Sequence, residues 1–215
     1  MALAERFVNG LLIGVEGIDG CGKTVFSQAL AQVLAGHGCE NVLTKEPGGT
    51  KFGLQLRQIL QYRDELGDLD PKAEYLLFAA DRAQHFTQVV IPNLQDNKIV
   101  ISDRTGDSSV VYQGYGRGLD IHMIQQINAW AMCNIKPDLI IYLKIDYMTA
   151  QNRVSLRSEK LTAFEQAGSE FMHKVINGFD QLYANCGNVL ILDGKLPTTS
   201  LVAQATEQIL KLVRK

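Results

Sequence analysis

A glycine-rich octapeptide, Gly17-Ile18-Asp19-Gly20-Cys21-Gly22-Lys23-Thr24, constrains this chain more than any other feature. It satisfies the pattern G-x-x-x-x-G-K-S/T, and its flanks are those the pattern needs. Leu11-Leu12-Ile13-Gly14-Val15 ahead of it reads as a buried strand. Thr24 to Leu34 behind it carries apolar residues at helical spacing and runs into a Gly36/Gly38 stop. Glycines let a backbone wrap an anion with no Cβ in the way, and successive N–H groups then point inward. The following helix adds free N–H groups and the positive end of its dipole. Gly17 through Thr24 is therefore expected to hold the phosphates of a nucleoside triphosphate, with Lys23 reaching the β- and γ-phosphates and Thr24 offering its hydroxyl to Mg²⁺.

The rest of the chain alternates strand-like and helical stretches. Asn41 to Lys45 reads as a second strand, Phe52 to Tyr62 as a short helix, and Lys98 to Asp103 as a third strand. Asp70-Pro71 is an N-cap with proline at the first helical position, opening a long helix toward Asn93 that Pro92 bends or ends. Asp120 caps a helix to about Cys133, Leu139 to Lys144 and Asn188 to Leu192 complete the strands, and Thr199 to Arg214 closes the chain as a helix. This pattern predicts one α/β domain over residues 1–215, a doubly wound sheet of five parallel strands with helices on both faces. The 21 basic and 23 acidic residues nearly cancel, which gives no electrostatic case for a nucleic-acid or membrane partner. No apolar run approaches the ~20 residues a bilayer needs, and Met1 to Gly10 lacks a signal-peptide layout. Cys21, Cys39, Cys133 and Cys186 are scattered singly, which points to a reducing cytoplasm. Cys21, beside the phosphate-binding amides, is expected to have an accessible thiolate.

Asp103 ends a buried-looking strand, where an acid can hold or orient Mg²⁺, and Arg104 follows with a fork of donors for a phosphate. On residues alone, the pair fits a loop salt bridge as well. No Asn-Lys-x-Asp guanine signature occurs, which disfavours a GTPase switch.

Four blocks in order then carry a resemblance: Glu16 through Thr24; Lys45-Glu46-Pro47-Gly48-Gly49-Thr50; Leu77-Phe78-Ala79-Ala80-Asp81-Arg82; and Asp103-Arg104 through Asp107-Ser108-Ser109 to Tyr112-Gln113-Gly114 and Gly116-Arg117-Gly118. The chain resembles bacterial thymidylate kinases whose lid supplies the arginines, from about Leu11 to Tyr183. The resemblance implies nucleoside monophosphate kinase architecture, and transfer of the ATP γ-phosphoryl to dTMP, giving dTDP on the way to dTTP. It further implies that Asp19 approaches the deoxyribose 3′-hydroxyl, Phe78 stacks on thymine, and Arg82 donates to its O4. Gln113 would bond the base edge, Ser109 would lie beside the base, Tyr112 would crowd a ribose 2′-position, and Arg57 and Arg104 would hold the monophosphate. Glu46 belongs with these substrate-binding residues. Lys23, Asp19, Arg104, Arg153 and Arg157 form the implied catalytic set, with Thr24 and Asp103 on the metal. A homodimer is implied as well.

The bland alternatives stand beside these roles. Phe78 fits plain helix core, Arg82 fits an exposed arginine paired with Asp81 or Glu74, and Tyr112 and Gln113 fit ordinary loop residues. The lid, about residues 150–166, departs from the family: Leu161-Thr162-Ala163-Phe164-Glu165 stands where an Asp-Arg pair is usual. Lys45 and Thr105 likewise replace an arginine and an aromatic. Charge stabilisation is thus expected from Arg153 and Arg157, unless they only line a solvated helix face. A kinase for another nucleoside monophosphate and a nucleotide-binding homologue with weak catalysis are the alternative functions.

Overall fold

The computed structural model describes residues 9–62, 67, 69–158 and 160–213. Met1 to Val8 of the N-terminal reading, and Arg214 of the closing helix, lie outside these residues. Five strands, β1 (Leu11–Glu16), β2 (Asn41–Lys45), β3 (Ile99–Asp103), β4 (Leu139–Lys144) and β5 (Val189–Asp193), form one sheet in the order β2-β3-β1-β4-β5. Every pairing is parallel. The nine helices among the described residues are α1 (Lys23–Gly36), α2 (Lys51–Gln61), α3 (Pro71–His85), α4 (Ile91–Gln95), α5 (Gly106–Ser109), α6 (Ile121–Ala131), α7 (Tyr147–Ser155), α8 (Gly168–Tyr183) and α9 (Thr198–Val213).

Alternation along the strands builds both layers. Ile13, Val15 and Ile101 join a core with Phe26 and Leu30 of α1, Val175 and Phe179 of α8, and Leu201 and Ile209 of α9. Leu12 and Val100 point the other way, into Phe86, Val90, Ile91 and Leu94. The doubly wound sheet with helices on both faces is therefore present. After β3 the chain crosses from one side of β1 to the other, so the order reverses beside β1, where open parallel sheets form their crevice.

Helix signals were local where they were legible. Asp70 accepts from the N–H of Lys72 at 2.8 Å and Asp120 from that of Met123 at 3.0 Å, as the caps predict. Gly38 takes φ 78° just beyond α1. Pro92 does not end its helix. A π-helical turn, Phe86–Val90, precedes it, and Pro92 occupies the first turn of α4, where a missing N–H leaves nothing unbonded. Three elements have no counterpart in the sequence reading: α7, α8, and the stretch in which α5 passes into a second π-helical segment, Val110–Gly116.

Candidate active site

The register of β1 against β3 pairs Val15 with Asp103, which sets the glycine loop beside the acid. Gly20 (φ 87°) and Gly22 (φ 97°) lie in the left-handed region, and a Cβ on Gly20 would stand 2.5 Å from the Ala150 carbonyl. Lys23 curls back over the loop: its Nζ donates to the carbonyls of Gly17 and Ile18, both at 3.0 Å, and lies 3.9 Å from Asp19 Oδ1. Thr24 Oγ1 donates to Asp103 Oδ2 at 2.8 Å. One hydroxyl and one carboxylate at a strand end are hard oxygen donors that fit Mg²⁺, an ion that takes few protein ligands and completes its shell with phosphate and water. Among the described residues no group of three or more His, Cys, Asp or Glu is suited to a metal. The Cys21 thiol differs from the expectation. It is buried, and burial pushes its pKa up, so the thiolate is disfavoured.

Two arginines form the next part of the cleft. Arg104 sits at φ 78°, a conformation held by its N–H donating to Val15 O and its carbonyl accepting from Ser102 Oγ at 2.7 Å. Its guanidinium donates to Asp19 Oδ1 at 2.5 Å and Ser108 Oγ at 3.0 Å, 5.1 Å from the Tyr112 ring centroid. Burial raises the Asp19 carboxyl, but Arg104 and then Lys23 outweigh it and hold its pKa below the ordinary value. Arg57 donates to Pro47 O at 3.0 Å, and burial, then Arg104, lowers its pKa. Beneath them Glu16 is wholly buried. Its carboxylate accepts from Thr105 N–H at 2.7 Å, Thr105 Oγ1 at 2.9 Å and Ser108 Oγ at 2.6 Å, which makes it a strut for the loop after β3. Thr105, atypical for the resemblance, is thus used twice on Glu16. Burial and then Asp107 push Glu16 up to about 7.

The far end of the cleft carries an aromatic and several amide and guanidinium donors. Phe78 is half-buried and faces the cleft, so it is more than core packing. Arg82 is only 1% exposed and is no surface arginine. Its Nε donates to Glu46 Oε2 at 2.9 Å, Nη1 to Asn128 Oδ1 at 2.6 Å and Nη2 to Ser109 Oγ at 3.1 Å. Glu46 bonds His85 through its other oxygen at 2.9 Å, and His85 reaches Thr44 at 2.7 Å. Gln113 donates to Glu74 Oε1 at 2.9 Å, and Arg117 bonds Glu74 Oε2 at 3.2 Å. The groups expected at the base, Phe78, Arg82, Ser109 and Gln113, and Tyr112, expected at the ribose, thus line one cleft of about 550 Å³ with Lys23, Thr24, Asp103, Arg57 and Arg104. Glu46 lies at that cleft too, but its carboxylate is committed to Arg82 and His85. Sequence reasoning missed Glu74, His85 and Asn128. Asn128 alone gives a signal, an amide in the buried stripe Ile124, Asn128, Ala131 of α6.

The lid separates its two arginines. Arg157 lines the cleft and pairs with Glu165 Oε1 at 3.2 Å. Arg153 differs from the expectation: its guanidinium donates outward to Gly194 O at 3.0 Å and Cys21 O at 3.4 Å, and it is not among the cleft residues. Three residues back, Ala150 rests against Gly20, so α7 is seated on the outside of the glycine loop and turns Arg153 toward the loop after β5. In place of the family's Asp-Arg pair, Thr162 and Glu165 form a reciprocal capping box. Thr162 N–H donates to Glu165 Oε2 at 2.8 Å, and Glu165 N–H to Thr162 Oγ1 at 3.3 Å. That turn puts the Phe164 ring 5.9 Å from Phe78 and 5.6 Å from Tyr112. Lys45 and Lys160 also line the cleft.

Comparison with known proteins places the chain in a family. A family model described as thymidylate kinase matches residues 15–205. The chain is 42% identical over 177 residues to a thymidylate kinase of Pelotomaculum thermopropionicum, 82% of each chain, and 38% identical over 206 residues to that of Nostoc punctiforme, 95% of this chain and 97% of the relative. It superposes on the crystal structure of thymidylate kinase from Ehrlichia chaffeensis with a TM-score of 0.76 at 29% identity, over 94% of this chain and 99% of that one. With glycine loop, Asp103-Arg104 and Phe78 in one cleft, the family model matched over residues 15–205, and relatives matched over 82% and 97% of their length, the chain belongs to the thymidylate kinase family.

Proposed function

We propose that the chain phosphorylates dTMP to dTDP with ATP and Mg²⁺ as a cytoplasmic enzyme. One observation carries the reading: a triphosphate loop, a pair of arginines and a set of aromatic, amide and guanidinium groups line the same cleft. The loop amides, Lys23 and Thr24 take the donor phosphates. Arg57 and Arg104 take the acceptor phosphate, with Asp19 restraining Arg104. Phe78 supplies stacking, which any base accepts, so selectivity falls to Arg82, Ser109 and Gln113. A cytosine amino group facing the Arg82 donors leaves buried N–H groups unpaired, at a cost of about 1–3 kcal/mol. An oxygen of the acceptor phosphate attacks the γ-phosphorus as its bond to the β-phosphate oxygen breaks, with no covalent intermediate on the protein. Thr24 and Asp103 are the residues that would hold Mg²⁺, which would supply charge neutralisation on the transferring phosphates. Arg157 is the lid charge for this step and Arg153 an anchor of the lid stem.

The four free cysteines support the cytoplasm; among the described residues no helix is long and apolar enough to cross a membrane. Two copies pair, in this reading, through the exposed apolar stripe of α6. A second reading, nucleotide binding with little turnover, draws on the Arg157–Glu165 pair, which ties up the one lid arginine at the cleft. A coupled assay with dTMP, dUMP, dCMP and dGMP separates these. Preference for dTMP is expected, with dUMP poorer by about 10–200-fold for want of the methyl group. Faster turnover of dCMP or dGMP rejects the assignment, and tight dTMP binding in calorimetry without turnover selects the second reading.

A further inference from the structure

Arg82 is almost wholly buried, and a guanidinium presents useful donors only if something fixes its plane. Four acceptors surround it: the Glu46 carboxylate, the Ser109 hydroxyl, the Asn128 amide and, at a longer 3.4 Å, the Thr105 carbonyl. Glu46 supplies charge, and its hold is at Nε. The Ser109 hydroxyl can rotate. Asn128 makes the shortest of these bonds, 2.6 Å, and is the acceptor on Nη1. Its Nδ2 donates to Gly106 O at 2.8 Å, and its Oδ1 accepts from Arg82 Nη1 at 2.6 Å. Tyr75 Oη lies 3.1 Å from the same Oδ1, but its single proton has a nearer acceptor in Ile124 O at 2.9 Å. A carbonyl only accepts and a guanidinium only donates, so Gly106 and Arg82 by themselves select one amide orientation. Gly106 opens α5, two residues after Arg104, so one side chain of α6 joins Arg82 to the segment that carries the phosphate-binding arginine. Asparagine also orients the guanidinium without adding a second carboxylate, which leaves the charge of Arg82 balanced by Glu46 alone.

We propose that Asn128 is the positioning residue that aims Arg82 at the pyrimidine, and so sets the preference for a carbonyl over an amino group at that edge of the base. The inference deepens the dTMP reading and rests on it. The test compares wild type, Asn128→Ala and Asn128→Asp for turnover of dTMP and dCMP, and for calorimetric binding of each. Asn128→Ala is expected to raise KM for dTMP about tenfold with kcat within about twofold, to lower the dTMP-over-dCMP preference about tenfold, and to leave KM for ATP unchanged. Asn128→Asp keeps the oxygen for Arg82 and gives up the donor to Gly106, so it is expected to return KM to within about threefold of wild type. Where Asn128→Ala does not fold, Asn128→Ser, too short to reach Arg82, is read in its place. A wild-type dTMP affinity and preference in Asn128→Ala, or an Asn128→Asp no better than Ala, overturns the inference. A wild-type chain that does not prefer dTMP rejects the functional reading instead, and calorimetry on the variants still reads the effect of Asn128 on its own.

Discussion

Buried carboxylates in this chain are unevenly matched with cations, and that has consequences at the level of single residues. Glu16 is surrounded by hydroxyls and an N–H, with burial the largest influence, and titrates at about 7. Asp81 is raised to about 6 by burial and then by Glu46. A carboxyl whose folded pKa exceeds its unfolded value contributes stability that is complete below the unfolded pKa, near 4.5 for Glu16, and is lost as pH climbs through the folded pKa. Between pH 4.5 and 7 the Glu16 share falls by up to about 3 kcal/mol, since each pKa unit is about 1.4 kcal/mol. Chemical denaturation at pH 5 and pH 8 is expected to show Glu16→Gln losing less stability across that interval than wild type; equal losses overturn the assignment. Asp19 and Glu46 carry the opposite sign, with depressed pKa values, and their share is lost in acid. The two lid arginines make a second residue-scale contrast. Arg157→Ala is expected to lower kcat about 10²–10³-fold because its guanidinium stands at the cleft. Arg153→Ala is expected to lower it at most about tenfold and to act mainly on KM for ATP, because its contacts are Cys21 O and Gly194 O. Reversal of that order in steady-state kinetics rejects the assignment.

Elements, rather than residues, decide what the lid does. The Thr162–Glu165 box closes a turn that puts Phe164 against Phe78 and Tyr112, so a substitution that looks like a loss from the family pattern is a different way of fastening the same segment. Thr162→Ala is expected to cost about 1 kcal/mol of local stability. It loosens Phe164 and frees Glu165, and raises KM for dTMP several-fold while far-UV circular dichroism stays unchanged; an unaltered KM means the turn plays no part in closing the cleft. Signals of this kind also explain what was legible. The glycine loop, the Asp70 and Asp120 caps and the five strands are written in neighbouring residues, and local patterns suffice for them. Thr162-x-x-Glu165 is just as local, but it reads as a gap when set against an expected Asp-Arg. The apolar spacing of Phe171, Val175 and Phe179 in α8 is interrupted by Gly178, a residue poor in helices. Its reason is tertiary, since a Cβ there would meet the Tyr115 ring at 2.8 Å. Arg82–Glu46, Arg82–Asn128 and Gln113–Glu74 join residues 36, 46 and 39 positions apart, and no periodicity carries such pairs. The direction of Arg153 likewise follows from where α7 lands on the glycine loop, which spacing alone does not give.

At the scale of the molecule, the sheet and its helices divide the labour between a chemical cleft and an outer face. The cleft opens where the strand order reverses beside β1. On α6, Ile124, Asn128 and Ala131 point inward, while Met123, Ile127 and Trp130, at spacings of four and three, form the neighbouring stripe. Met123 is 54% and Trp130 78% exposed, a large apolar area for a chain working alone. On α3, which packs against α6, Leu76 is exposed as well. The proposed pairing of two copies covers this stripe, and α6 then carries the interface on one side and the Asn128–Arg82 contact on the other. Light scattering at about 10 µM is expected to give twice the chain mass for wild type and the chain mass for Trp130→Glu, a concentration at which an interface of micromolar affinity or better is mostly filled. Because α6 loses its outer support in the monomer, KM for dTMP is expected to rise in Trp130→Glu while KM for ATP, bound beside α1, does not. A monomeric wild type rejects the pairing. A monomeric variant with unchanged dTMP affinity keeps the pairing but breaks its link to the base end of the cleft.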